Sequence, residues 1–329
     1  MTDSLYPENA SIMQVRPYQG SDESQILAVW NASMLVDNID EAIFRTKILL
    51  DPNFQAANLP VAVEADQVVG FALLLTRQVP LFLQGLEPDQ AWITAFGVLP
   101  DYRRRGIGTA LFRYLDQRTE AQGRKTVSIS PYVPNYFTPG VDVNAYPGAL
   151  EFLTKAGFKT VDHAISMGVD LSGFQIPAEI QALEQRRERE DGVTIRPVTS
   201  ADLPDLMPFI IRHFGWDWFR FAQEYLLDLF GDREARAVCL LVARQHGEIV
   251  GYCQQRLQRF GPFGVDPAKR NLGIGRLLLF RCLATMSARQ IYFAYFLWTG
   301  DDAARLYALA GFQKRREFAL LRKEFDASL

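Results

Sequence analysis

An eleven-residue pattern occurs twice in this chain and limits what it can fold into. Val98-Leu99-Pro100-Asp101-Tyr102-Arg103-Arg104-Arg105-Gly106-Ile107-Gly108 and Val265-Asp266-Pro267-Ala268-Lys269-Arg270-Asn271-Leu272-Gly273-Ile274-Gly275 both read V-x-P-x-x-R-x-x-G-I-G. The offset is constant, since 265 − 98, 270 − 103 and 275 − 108 all equal 167. Each copy leaves an apolar run and enters a stretch of helical periodicity. Glycines in such a turn let the backbone approach an anion, and the helix start directs unbonded N–H groups at it. A chain that builds this device twice is expected to be a duplicated binder of a phosphate-bearing cofactor.

The flanking periodicity repeats as well. In the first half, strands are expected at Met13–Tyr18 and Ala91–Val98, with a hairpin of Pro60–Glu64 and Val68–Leu75 between them. Helical spacing over Ser21–Leu50 is broken near Asp37-Asn38. After the motif come a helix (Gly106–Gln122), a strand (Lys125–Ser130), a short helix (Pro147–Ala156) and a strand (Ala164–Leu171). The second half follows the same order: strand Val193–Val198, helices in Asp202–Phe230, hairpin Ala237–Ala243 with Ile249–Leu257, strand Gly261–Val265, helix Leu272–Ala288, strand Ile291–Leu297, short helix Ala303–Ala310, strand Phe318–Phe325. The offset runs from 180 (Arg16 to Arg196) through 181 (Gly70 to Gly251) and 167 to 154 (Gly157 to Gly311). The first half therefore has two insertions, within Gln78–Gln90 and over Pro131–Tyr146. Insertions on a shared scaffold carry specificity.

At 329 residues the chain exceeds what one core usually organises. The expected division is 1–172, a charged linker helix 173–191 whose run Gln185–Glu190 reads as a solvated face or, alternatively, a docking surface, and 192–329. A net charge of −3 argues against nucleic acid or an acidic membrane as partner. The chain holds no apolar run long enough for a membrane span. The polar, acidic stretch Met1–Ser11 is unlike a secretory signal, so a cytoplasmic location is expected. Cys239, Cys253 and Cys282 fit no metal or redox spacing and read as buried thiols. No metal site is expected.

R-x-x-G-x-G following V-x-P, with a strand before it, a helix after it and a closing A-x-x-x-[Y/L]-x-x-x-G-F block, resembles the GNAT superfamily of acyl-CoA-dependent N-acyltransferases. The likeness covers nearly the whole chain, twice. It implies two tandem mixed α/β (α+β) domains, each a mostly antiparallel sheet flanked by helices. It implies acetyl-CoA as cofactor, its pyrophosphate held by backbone amides, its pantetheine arm paired along the preceding strand, and its phosphates facing the helix start. The matching positions are Val98, Arg103, Arg104, Arg105, Gly106, Ile107, Gly108 and Thr109, then Val265, Arg270, Asn271, Leu272, Gly273, Ile274, Gly275 and Arg276. A dinucleotide fold would need G-x-G-x-x-G after the first strand of a βαβ unit. Here the third glycine is missing and the glycines follow the fourth strand.

The closing blocks separate the halves. Ala303-Ala304-Arg305-Leu306-Tyr307-Ala308-Leu309-Ala310-Gly311-Phe312 places Tyr307 where the family's tyrosine protonates the departing thiolate. Ala149-Leu150-Glu151-Phe152-Leu153-Thr154-Lys155-Ala156-Gly157-Phe158 has Leu153 there. The Tyr-rich insertion offers Tyr146, about two turns before Leu153, and Asp142 as a reader of a cationic amine; the other reading is a loop packed by its own aromatics and prolines. Asp217 and Glu224 are candidate bases in the second half, with Trp216, Trp218 and His213 either lining an acceptor pocket or packing in the core.

The resemblance implies acetyl transfer to a small-molecule or peptide amine by direct attack in a ternary complex, with the second half the more conventional site. The tandem arrangement resembles mycothiol-synthase-type acetyltransferases, but no residue pattern fixes the acceptor. A non-catalytic acyl-CoA sensor, and an aminoacyl or long-chain acyl transferase on a related tandem fold, are the alternatives. Monomer and homodimer are both open.

Overall fold

The computed structural model describes residues 13–129, 131–231 and 237–325, so Ser130 of one expected strand and the Met1–Ser11 stretch lie outside the described residues. The chain runs β1 (Gln14–Pro17), α1 (Glu23–Ser33), α2 (Glu41–Phe44) with a π-helical turn over Arg45–Leu49, β2 (Pro60–Glu64), β3 (Gln67–Leu75), β4 (Gln90–Val98), α3 (Ile107–Ala121), β5 (Thr126–Ile129), β6 (Val141–Asp142) and α4 (Pro147–Lys155). It continues through β7 (Lys159–Asp170), α5 (Ala178–Asp191), β8 (Val193–Pro197), α6 (Leu203–Phe214), α7 (Trp216–Phe230), β9 (Val238–Gln245), β10 (Glu248–Arg256), β11 (Arg259–Val265), α8 (Ile274–Ala288), β12 (Phe293–Thr299), α9 (Asp301–Ala308) and β13 (Gln313–Glu324). The repeated order read from the periodicity is present in both halves.

The compact units do not follow the sequence halves. Unit 1 comprises Met1–His163 with Phe318–Leu329, and unit 2 comprises Ala164–Glu317. Their boundaries fall inside β7 and inside β13. In unit 1, β1 to β4 pair antiparallel in succession and β5 joins β4 in parallel. The outer partner of β5 is β13, with Leu321 opposite Ile129 and Glu324 opposite Thr126. In unit 2, β8 to β11 pair antiparallel and β12 joins β11 in parallel. The outer partner of β12 is β7, with Asp170 opposite Phe293 and Met167 opposite Phe296. Each half has handed its closing strand to the other. The expected domains at 1–172 and 192–329 therefore differ from the compact units, because duplicated sheets offer a closing strand two equivalent edges.

The expected charged linker helix also differs. α5 packs within unit 2: Ile180 is buried, Glu184 accepts from Nε and Nη2 of Arg281 at 2.7 and 2.6 Å, and Arg187 Nε donates to the Leu272 carbonyl at 2.8 Å. Arg187 also pairs with Asp191 at 2.8 Å, and Glu179, Arg186, Glu188, Arg189 and Glu190 are exposed. Both sheets are covered on both faces, unit 1 by clusters around Trp30 and Leu111 and unit 2 by clusters around Leu278 and Leu206. Duplication extends to the first turns. Arg16 forks onto Asp22 at 2.7 and 2.8 Å, and Arg196 onto Asp202 at 2.6 and 2.7 Å. Among the described residues no helix is long and apolar enough to cross a membrane.

Candidate functional site

Each motif strand carries a bulge. β3 pairs Leu73 with Ala95 but Leu74 with Ile93, leaving Thr94 extra on β4. β10 pairs Cys253 with Phe263 but Gln255 with Phe260, so β11 also gains a residue, over Gly261-Pro262. Adding 167 to Thr94 gives Gly261, so the bulges are equivalent positions. A bulge bends the strand, and the consequence is visible in the ladders. β4 stays with β5 only over Gln90–Ile93, and β11 meets β12 in the ladder only at Arg259 opposite Tyr295. Beyond the bulge, one edge of each motif strand has no strand partner among the described residues.

The loops that follow share a backbone shape. Arg104 and Gly106 have φ of 62° and 82°; Asn271 and Gly273 have 73° and 78°. Alternating hand turns neighbouring N–H groups into one concavity. The first bonds of α3 and α8 are Ala110 N–H to Gly106 and Leu277 N–H to Gly273. Among the described residues, no acceptor serves the amides of Gly106 to Thr109, or of Gly273 to Arg276. Gly108 and Gly275 meet only side chains at van der Waals distance. Arg103 Nε is held by the Val98 carbonyl at 3.1 Å, and Arg104 approaches Glu151 at 3.7 Å. In unit 2, α5 braces the loop: a Cβ on Gly273 would meet Leu183 at 2.9 Å. Among the sequence-singled residues, those of each motif thus form one concave turn at the end of the open strand edge.

Gly97 and Gly264 were not singled out from the sequence. A Cβ at Gly97 would run into the Ser33 hydroxyl, and one at Gly264 into the Phe214 ring. They let the ends of α1 and α6 close against the motif strands. The repeated F-G-V before each motif, Phe96-Gly97-Val98 and Phe263-Gly264-Val265, is the signal that would have found them.

Tyr307 lies on α9 among rings from both strands that separate. Its centroid is 4.2 Å from Phe296 of β12 and 5.7 Å from Phe263 of β11. Burial pushes its phenol well above the usual tyrosine range, so the proton is held at neutral pH. Leu153, the matching residue of unit 1, is fully buried and has no proton to give. Tyr146 immediately precedes α4 and donates its hydroxyl to Asp37 Oδ2 at 2.8 Å. Asp142 is buried and accepts the Asn144 and Ala145 amides of its own turn at 2.9 Å. Asp217 and Glu224 both pair with Arg220 between them on α7. Trp218 stacks on Phe214 at 4.8 Å in the core beneath α6 and α7, Trp216 packs on Phe219, and His213 stands 4.0 Å from Asp266. Of these aromatics, Trp218 packs against the core under the helix corner, and Trp216 and His213 are half-buried. Cys239, Cys253 and Cys282 are all buried, and burial pushes the Cys253 thiol well up.

The two insertions of unit 1 are locked inward. Tyr132 is fully buried, donates to Asp51 Oδ1 at 3.0 Å and accepts from Asn53 Nδ2 at 2.7 Å. Arg77 lies 4.9 Å from both the Trp92 and Tyr132 rings and pairs with Glu87. The space left beside β4 and β5 is a pocket of about 220 Å³ that includes Glu87 and Pro131 from the insertions. Unit 2 has no such insertions, and the matching ends of β11 and β12 open into a cleft of about 1050 Å³.

An open mixed sheet with a bulged, half-unpaired fourth strand and an amide-lined turn, present twice, defines a tandem acyltransferase. Family profiles agree: residues 26–138 match the acetyltransferase (GNAT) family and residues 236–314 an acetyltransferase (GNAT) domain. The chain belongs to the GNAT family and carries two of its domains. GNAT enzymes generally use acetyl-CoA and act on small-molecule or peptide amines. The chain is 25% identical over 285 residues to the mycothiol acetyltransferase of Amycolatopsis mediterranei (strain U-32), covering 80% of this chain and 84% of that one. Among solved structures, the glucosamine N-acetyltransferase region of a fungal multi-domain GH3 β-N-acetylglucosaminidase superposes with a TM-score of 0.75 at 18% identity. That match covers 98% of this chain but only 39% of the fungal protein. A GCN5-related N-acetyltransferase from Sphaerobacter thermophilus gives a TM-score of 0.67 at 19% identity, covering 95% of both chains. A tandem GNAT protein from the clavulanic acid biosynthesis pathway gives 0.62 at 15% identity, over 95% of this chain and 98% of that one.

Proposed function

We propose that unit 2 transfers an acetyl group from acetyl-CoA to an amine in a ternary complex, and that unit 1 binds coenzyme A without completing that reaction. The observation that carries the reading is the contrast between Tyr307, whose ring touches both separating strands, and buried Leu153 at the matching place. The residues fit the ligand. Amides of Gly273–Arg276 and Gly106–Thr109 have no acceptor among the described residues and suit a pyrophosphate. The open edges of β11 and β4 suit an amide-bearing arm that pairs as another strand would.

In the transfer, the acceptor nitrogen bonds to the thioester carbonyl carbon and the carbon–sulfur bond breaks. Tyr307 donates its phenolic proton to the leaving sulfur. The surplus ammonium proton leaves to solvent water, and the phenol regains its proton from water. The sidedness of unit 1 supports a retaining role: its insertions fill the acceptor end, where unit 2 is open. The relative named for glucosamine puts amino sugars into the acceptor panel, and the one named for mycothiol puts the amine precursor of mycothiol there.

The test is thiol release across that panel, with wild type and Tyr307→Phe, beside calorimetric titration with coenzyme A. Turnover is expected to fall about 10²- to 10³-fold in the variant, with coenzyme A binding at two sites in both proteins. Unchanged turnover would place the reaction elsewhere.

A further inference from the structure

The duplicated architecture allows the pocket of unit 1 and the cleft of unit 2 to be compared position by position. Arg259 opposite Tyr295 in unit 2 matches Trp92 opposite Ser128 in unit 1, since 259 − 92 and 295 − 128 both equal 167. Arg315 matches Val161 by the later offset, 315 − 161 = 154. Trp92, Ser128 and Val161 all line the small pocket of unit 1, and Arg259, Tyr295 and Arg315 all line the large cleft of unit 2. The same three places have thus changed from an aromatic–hydroxyl–aliphatic set to two guanidiniums over rings. Arg259 lies 5.7 Å from the Tyr295 ring centroid, and Arg315 lies 5.8 Å from Phe293.

The charges around this cleft do not cancel. Arg256 pairs with Asp228 at 3.0 Å, and Glu224 with Arg220. Asp170 accepts the Ser172 amide at 2.7 Å and offsets part of the Arg315 charge without pairing to it. Among the described residues, no carboxylate lies within ion-pair distance of Arg259 or Arg315. A guanidinium fixed over a ring with its N–H fork unfilled is a reader of carboxylate or phosphate. The cleft is also distinct from the amide turn. Arg259 and Val265 are the two ends of β11, seven residues long, so roughly 20 Å of strand separates the Arg259 end from the turn beyond Val265. One anion cannot occupy both.

We propose that the unit 2 cleft selects an acceptor amine that also bears a carboxylate or phosphate, read by Arg259 and Arg315. This rests on unit 2 being the transferring unit. The test uses matched probes: D-glucosamine 6-phosphate against D-glucosamine, and β-alanine against β-alaninamide. For whichever anion the cleft reads, kcat/KM of the anionic member is expected to exceed that of its neutral partner about tenfold to a hundredfold. Arg259→Gln and Arg315→Gln are expected to erase that advantage while leaving the neutral probe and the KM for acetyl-CoA unchanged. Calorimetric titration of both anionic probes onto coenzyme A-saturated protein reads the cleft without turnover, and binding should weaken about tenfold or more in either variant. Equal kcat/KM within both pairs, or equal loss for both members in the variants, would overturn the proposal. If no amine is acetylated, the transfer reading falls, and the calorimetry still decides the cleft: binding lost in the variants upholds it, and no binding of either anionic probe rejects it.

Discussion

Replacing Leu321 with alanine is expected to loosen the first half of the chain and spare the second, although the residue lies in the second half by sequence. Leu321 is 2% exposed, sits opposite Ile129 in the ladder and packs in the cluster that holds Ile93, Leu111 and Val127. Truncating a buried leucine costs about 3 kcal/mol, the transfer free energy plus the cavity left behind. That is about a hundredfold in an opening equilibrium. Native-state hydrogen exchange reads it by segment. Amides of β4, β5 and α3 should exchange about a hundredfold faster, while those of β9, β10 and α8 keep their wild-type protection. The reverse pattern would refute the strand exchange. Equal acceleration in both units would show that they open as one cooperative body, and the reasoning from separate cores would fail.

Other outcomes follow from the same geometry. Asp202 is held well below the usual carboxylate range, first by Arg196 and then by the Thr199 amide and hydroxyl and Arg244. A folded pKa below the unfolded value of about 4 means stability that is complete above that value and is lost as pH falls through the folded one. Asp202→Asn should therefore flatten the acid limb of a Tm-against-pH profile and cost about 3 kcal/mol at pH 7; an unchanged acid limb would count against the assignment. Gly264→Ala drives a Cβ into the Phe214 ring, itself stacked on Trp218, and should cost about 1–3 kcal/mol in a denaturant titration. Gly106→Ala places a side chain at φ 82° with open space around it. The strain is about 1–2 kcal/mol, and calorimetry should then show the unit 1 coenzyme A site weakened about 5- to 30-fold with the unit 2 site unchanged.

The doubled turn, the element order and both insertions were legible because each depends on local pattern: glycine where φ is positive, period-two strands, and offsets that shift where residues are added. The places of Tyr307 on α9 and Leu153 on α4 were readable for the same reason. The exchange of closing strands was not. Ala164–Leu171 and Phe318–Phe325 have similar alternation and face similar edges, so nothing local decides which sheet receives which strand. Nor did the charge of Gln185–Glu190 reveal that Ile180 and Leu183, on the other face of α5, tie the helix into unit 2. Arg259 and Arg315 looked like ordinary strand charges. Only the register that sets Arg259 beside Tyr295 shows them as members of one cleft.

The exchanged strand also governs the order in which the chain can mature during synthesis. The outer edge of β5 ends at Ile129, and the part of β13 that covers it starts at Leu321, 321 − 129 = 192 residues later. At roughly 5–20 residues per second, that edge stays open for about 10–40 s after it leaves the ribosome. Unit 2 receives β7 early and can close before β13 is complete. The half synthesised first is thus the one finished last, and its uncovered edge is where a nascent chain of this kind is most exposed to mispairing with a neighbour.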